Sequence, residues 1–283
     1  MRLAHLILAH CSPLQLERLV KRLIYSETDV YIHLDKKSDL TKFVHLASLP
    51  NVLFIKNRTK VTWGDYTMVK ATLDSMEEIL SNPYEYSHIN LLSGQDYPLK
   101  GPAEIQSFLF SNPGKTFMKS FSIYEDWKEA IERLTKYHFS EYNYPLKYRI
   151  QGILNKILPP KRLPNNLNPY GLSQWVTIAP AHARYVINYL KENRSVERFF
   201  KMTWGADELV FQTILLNSVW KDNVVNEYLR YIKFPKGGSR PIVFTMEDAD
   251  DIMISERFYA RKFDMDIDKD VLDYIDAAID KKT

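Results

Sequence analysis

Hydrophobic runs alternate with helical spacing along the first third of the chain. Residues 3–9 form a continuous apolar run, as expected of a central parallel strand covered on both faces. Ser12-Pro13 follows, with Ser12 predicted as N-cap and Pro13 in the first helical turn. The apolar positions Leu16, Leu19, Val20 and Leu23 then keep helical spacing. Residues 29–34 predict a second strand ending at Asp35, and residues 52–55 a third. Residues 66–80 predict an amphipathic helix, and residues 88–92 a fourth strand running into Ser93-Gly94-Gln95-Asp96. This alternation predicts an α/β fold with a mostly parallel central sheet and flanking helices. Ligands of such sheets gather outside the carboxyl ends of the strands. Three of those ends carry polar clusters: His10-Cys11-Ser12, Asp35-Lys36-Lys37 and Ser93 to Asp96.

The pattern loosens in the second half. Residues 137–169 are rich in Tyr, Asn, Pro, Lys and Arg, with a patchy helix over 148–158. They read as an irregular insertion of the kind that forms lids or acceptor sites. Residues 171–178 return to strand; residues 180–193 and 206–218 predict helices; residues 222–232 are mixed. A basic turn follows at 236–241, then a short helix at 248–255 and a terminal helix at 268–278. No repeat, low-complexity tract or linker interrupts the chain, so a single domain over residues 1–283 is expected.

Composition narrows the function classes. Apolar residues make up 45% and charged residues 26%, which excludes disorder, collagen-like repeats and a disulfide scaffold. The 38 Lys and Arg exceed the 35 Asp and Glu by only 3, too little for the basic face of a nucleic-acid-binding protein. Cys11 is the single cysteine, so there is no internal disulfide and no cysteine-based zinc site. It is expected to be a small buried or half-buried thiol. No apolar run reaches the roughly eighteen residues of a membrane span. His5 and His10 interrupt the N-terminal apolar stretch, which suits a buried strand better than a signal peptide. The expected location is the cytoplasm, free or peripheral at the inner membrane face. The 18 Tyr, 14 Phe and 5 Trp suit contacts with sugar rings, although large cores use them too.

The chain carries no GxxxxGK[ST] and no GxGxxG phosphate loop. Acidic DxD pairs occur only at 248–250 and 264–268, the first in a helix-start context and the second in an acidic C-terminal stretch. Neither follows a strand, where such a pair would hold a metal on a diphosphate. A metal-free diphosphate site needs fixed cations instead; Arg240, Arg261 and Lys262 are candidates that also fit as surface charges. Glu208 lies in the predicted first turn of an apolar helix, where the helix N-terminus favours a carboxylate able to accept a proton. Asp207 and Glu208 fit equally well as ordinary helix-start acids. His5 and His33 fall within strands and are expected to be buried, leaving His10 as the one histidine placed at a pocket. Zincin and serine-hydrolase motifs are absent.

Seven stretches, in order, resemble the core-2/I-branching β-1,6-N-acetylglucosaminyltransferase family, which includes the peptide O-xylosyltransferases. They are LILAH at His10, VYIHLDKKS at Asp35, VTWGDYTMVKATL at Trp63-Gly64, INLLSGQDYPLK at Asp96, GLSQWVTI at Trp175, ADELVFQTILLNS at Glu208 and FYARKFD at Lys262. The resemblance implies a GT-A-like glycosyltransferase fold, with a nucleotide-binding half over 1–120 and an acceptor-binding half over 121–283. It implies an inverting reaction that needs no metal or other cofactor, with Glu208 as catalytic base and Arg240 and Lys262 on the diphosphate. His10, Asp35, Trp63 and Gly64 would contact the nucleotide of a UDP-sugar. Asp96, Gln174 and Trp175 would line the donor-sugar and acceptor sides. The implied partners are the UDP-sugar and a glycan or polysaccharide, with no nucleic acid. The implied product is a β-1,6-linked N-acetylglucosamine; UDP-xylose or UDP-glucose donors, or a non-catalytic carbohydrate-binding role, are the alternatives. Secretory members carry an anchor and disulfides, and this sequence reads as a minimal catalytic domain beside them.

Overall fold

Strand faces decide the layering. In the computed structural model, which describes residues 1–139, 145–238 and 240–281, the first strand, β1 (Arg2–Ala9), is covered on both sides. Leu3, Ile7 and Ala9 enter one apolar core, and Ala4 and Leu6 enter another. Successive strand side chains point to opposite faces, so a strand buried on both needs the uninterrupted apolar run the sequence carries. The chain continues through α1 (Pro13–Leu23), β2 (Thr28–Leu34), β3 (Val52–Phe54), α2 (Tyr66–Leu80), β4 (Tyr86–Ser93), β5 (Asp96–Pro98), α3 (Pro102–Phe110) and β6 (Thr116–Ser122). The second half supplies α4 (Ile131–Thr135), α5 (Lys147–Ile157), β7 (Tyr170–Ile178), α6 (Pro180–Glu192), α7 (Arg194–Lys201) and α8 (Val210–Leu216). It closes with β8 (Val224–Val225), β9 (Arg230–Ile232), α9 (Ala249–Ile254), β10 (Tyr259–Arg261) and α10 (Asp270–Asp280). Residues 140–144 of the predicted irregular segment, and Ser239 of the basic turn, lie outside the described residues.

A seven-stranded sheet runs in the order β3-β2-β1-β4-β7-β6-β8. The β3-β2-β1-β4 block is parallel throughout, whereas β7 pairs antiparallel with both β4 and β6. The sheet therefore takes strands from both halves of the chain. Helices α1, α3 and α10 cover one face, and α2, α6 and α8 the other. A second sheet, β5-β10-β9, brings the C-terminal FYARKFD stretch beside the end of β4. Arg230 on β9 is fully buried and anchors this sheet, donating from Nη2 to Asn90 Oδ1 at 2.7 Å and to the Leu91 carbonyl at 2.6 Å.

Three local expectations are corrected. Ser12 does precede the first helix, but its φ of +54° is left-handed and its side chain makes no capping bond; its carbonyl receives the Leu16 N–H instead. The predicted helix over 206–218 is broken. A tight 3₁₀ turn, Ala206–Glu208, precedes α8, and Leu209 between them departs from helical geometry at φ −125°. Cys11 is exposed rather than buried, because it lies beyond the end of β1, past the cover that shields the strand.

Two Trp-Gly turns meet beside the sheet. Gly64 adopts φ +72°, and a Cβ there would stand 2.6 Å from Trp204 Nε1. Gly205 adopts φ +68° and donates its N–H to the Gly64 carbonyl at 2.8 Å. The two indoles, Trp63 and Trp204, pack edge-to-face with centroids 5.5 Å apart. Gly64→Ala adds both left-handed strain and a clash, so it is expected to cost about 2 kcal/mol and to lower Tm by roughly 5 °C. A thermal scan showing an unchanged midpoint would refute this account of the clasp.

Candidate active site

A cavity of about 660 Å³ opens at the carboxyl ends of β1, β2 and β4. Its size falls within the range of small-molecule sites. His10, Asp35, Trp63, Gln174, Trp175, Glu208, Arg240 and Lys262 all line it. Gly64 and Asp96 do not. Gly64 lies behind Trp63 in the turn just described. Asp96 is buried, 1% exposed, and its carboxylate accepts from Arg261 Nη1 at 2.8 Å and from the Ser93 hydroxyl at 3.0 Å. It acts on the cavity through Arg261, which is part of the lining.

The wall at the ends of β1 and β2 is built by loops leaving those strands. Asp35 is buried at the end of β2, and its Oδ1 receives the Lys37 N–H at 2.8 Å. Arg58 holds that loop in shape, donating to the carbonyls of Leu34, Asp35 and Ser38. His10 is raised above the ordinary imidazole range by its bond to Cys11, whose thiol is correspondingly lowered. His33 also reaches the cavity, contrary to the expectation that His10 alone would, and its Nε2 accepts from the Thr59 N–H at 3.0 Å. His5 is buried as expected and bonds Asn90 at 3.0 Å.

Cations gather on the C-terminal side. The Arg261 guanidinium lies 4.0 Å from the Trp175 ring centroid, and the Arg240 guanidinium 5.5 Å from that of Trp63. Arg240 and Lys262 have no acidic partner among the described residues, in contrast to Arg261, which Asp96 neutralises. Two unpaired cations facing one cavity make a ready anion site. The DxD pairs are elsewhere: Asp248 closes a capping box with Thr245 and pairs with Lys233, and the 264–268 acids do not line the cavity. Among the described residues, no three His, Cys, Asp or Glu side chains are grouped so as to hold a metal ion.

The acidic side centres on Glu208. Its Oε2 accepts from Arg133 Nη1 at 2.5 Å. Arg133 is itself sandwiched, with its guanidinium 4.7 Å from the Trp127 ring centroid and 4.6 Å from that of Trp204. Burial raises the Glu208 pKa above the ordinary carboxylate value, and Arg133 opposes that rise. The sequence reading assigned the state of Glu208 to a helix N-terminus; burial and Arg133 set it instead. Asp207 is pushed up to about 7, by burial first and by the Glu208 charge second. Three lining side chains present buried atoms with no hydrogen-bond partner: Gln174 Nε2, Asp207 Oδ1 and Arg261 Nε. Buried polar atoms are rarely left unpaired, and these three are the exceptions among the lining side chains.

Arg133 is the residue that sequence reasoning missed. It is separated from Glu208 by 75 positions, in a short helix without a motif. The repeated Trp-Gly dipeptide was the signal available in the sequence for the turns that enclose it.

Comparison with known proteins places the chain among glycosyltransferases. The profile of the family described as "Core-2/I-Branching enzyme" matches residues 3–256. Xylosyltransferase oxt of Drosophila melanogaster is 25% identical over 281 residues, covering 91% of this chain and 31% of that protein. Xylosyltransferase 2 of Homo sapiens is 26% identical over 301 residues, covering 97% of this chain and 33% of that protein. The chain thus spans about a third of the length of the curated relatives it matches. The apo crystal structure of mouse xyloside xylosyltransferase 1 superposes with a TM-score of 0.35 at 12% identity, covering 76% of this chain and 82% of that one. No helix among the described residues is long and apolar enough to cross a membrane. With a profile match that takes in every residue lining the cavity except Arg261 and Lys262, the chain belongs to the Core-2/I-Branching enzyme family, a family of glycosyltransferases.

Proposed function

We propose that the protein is an inverting, metal-independent glycosyltransferase of GT-A-like fold that moves a sugar from a UDP-sugar to a hydroxyl of a glycan or polysaccharide. The observation that carries this reading is one cavity lined both by Glu208 and by two cations, Arg240 and Lys262, that have no acidic partner among the described residues. Glu208, its pKa raised by burial, is suited to accept a proton. Arg240 and Lys262 are suited to the charge that develops on a departing diphosphate. The acceptor hydroxyl gives its proton to Glu208 as its oxygen forms a bond to the anomeric carbon. The bond from that carbon to the UDP oxygen breaks on the opposite face, so configuration inverts.

Supporting roles follow from position. Arg133 aims Glu208 and opposes the rise in its pKa that burial causes. Asp207, pushed up to about 7 by burial and by the Glu208 charge, lines the same cavity beside the base. His10, Asp35 and Trp63 serve the nucleotide, and Gln174 and Trp175 the donor sugar and acceptor. The first 120 residues make the nucleotide half, and the remainder brings the base and the cations. The transferred sugar is N-acetylglucosamine in β-1,6 linkage, the reaction the family resemblance implies. A second reading, transfer of xylose, is favoured by the names of the curated relatives.

A donor screen followed by UDP release, run in excess EDTA with β-galactoside and polysaccharide acceptors, separates these readings. Turnover in EDTA is expected with one donor well above the others; full loss in EDTA, restored by Mn²⁺, would sink the metal-free mechanism. Glu208→Gln should lower kcat by about 10² to 10⁴ while UDP affinity stays unchanged by calorimetry; a variant turning over at the wild-type rate would remove Glu208 as the base. Arg133→Gln should move the acidic limb of the kcat/KM profile to higher pH, because the cation that lowers the Glu208 pKa is gone. A pH profile that keeps its limb in place, whatever the absolute rate, would show that Arg133 does not tune the base.

A further inference from the structure

Helix α5 contributes nothing to either apolar core. None of its residues is buried, and none packs against the two core clusters. Its attachment to the body is polar. Asn155 bonds the Tyr137 backbone in both directions, at 2.7 and 2.9 Å, and Gln151 accepts from the Phe139 N–H at 3.0 Å. Gln151 and Asn155 are four apart and share one helix face. The opposite face carries Arg149, Ile150, Ile153, Lys156 and Ile157 by helical spacing. Ile153 is 56% exposed and Ile157 73%. An 11-residue helix is marginal in water unless an amphipathic face is packed, and here that face is unpacked.

We propose that this face of α5 lies in the surface of an anionic lipid bilayer. Aliphatic and cationic side chains interleaved on one face of a short helix are the pattern of an interfacial helix, with Ile at the acyl boundary and Lys and Arg at the headgroups. The charge around it is one-sided: the sequence has no Asp or Glu from 142 to 191, while Lys147, Arg149, Lys156 and Arg162 lie on or just after the helix. A second copy of the chain is a poor occupant, because pairing this face with itself sets Arg149 and Lys156 against like charges. A free polysaccharide would be met by aromatic rings, whereas this face is isoleucine. The inference stands on α5 alone and does not depend on the reaction proposed above.

The test uses the full chain and sedimentation with vesicles of phosphatidylcholine alone or mixed equally with phosphatidylglycerol. Binding to the anionic vesicles only, falling with added salt, is expected. Ile153→Ser with Ile157→Ser, and separately Arg149→Glu with Lys156→Glu, should each weaken it on the order of tenfold or more. All four positions are exposed, so Tm should be retained. No sedimentation with anionic vesicles, or binding unmoved by the isoleucine pair, would overturn the proposal. So would equal binding to soluble dextran sulfate, which would point to a polyanion, or a dimer in light scattering that the isoleucine pair abolishes.

Discussion

At Gly64 the backbone turns with a φ of +72°, and the space where a side chain would stand holds the indole of Trp204. That close approach lets the Gly205 N–H reach the Gly64 carbonyl and ties a loop of the first half of the chain to the turn that bears Glu208. Trp204 then serves a second time, as one wall of the sandwich around Arg133. Arg133 in turn grips Glu208. The position of the carboxylate thus descends from a missing methyl group three contacts away. A cation between two indoles keeps much of its electrostatic stabilisation while being shielded from water, which suits a partner meant to hold a half-buried acid in one place.

Charges of both signs line the cavity: Asp207 and Glu208, and Arg240, Arg261 and Lys262. Asp96 sits beside Arg261 and cancels it, which leaves Arg240 and Lys262 as the cations a ligand would meet. The net charge of +3 carries no trace of this grouping. A sum over the chain cannot report which charges share a cavity and which are spent on neighbours.

Much of the fold was legible in the sequence because the physics is local. The run at 3–9 is apolar without a break since β1 is covered twice, and α2 begins at Tyr66 and ends at Leu80 as its spacing predicts. Failures came where a neighbour distant in sequence decided the outcome. The helix predicted from 206 is interrupted because the Gly205 turn and the Glu208 contact with Arg133 hold that stretch in a tighter coil. The two-residue strand β8 exists only because β6 offers it an edge, and no run of its own marks it. Helix α5 is the reverse case: its spacing forms a helix, yet no part of the described body covers its isoleucine face.

The sequence by itself determined the α/β class, the alternation of strands and helices in the first half, the strand-end loops that line the cavity, and the presence of Glu208 and Lys262 in segments resembling one family. These depend on hydrophobic period and on short motifs, which neighbouring residues encode. Only the tertiary structure decided that Arg133 would be the partner of Glu208, that Asp96 would act from beneath Arg261, and that burial would raise Asp207 to about 7. Pairing and desolvation depend on distances across the fold, and residues far apart along the chain acquire those distances only when the sheet and its loops close around the cavity.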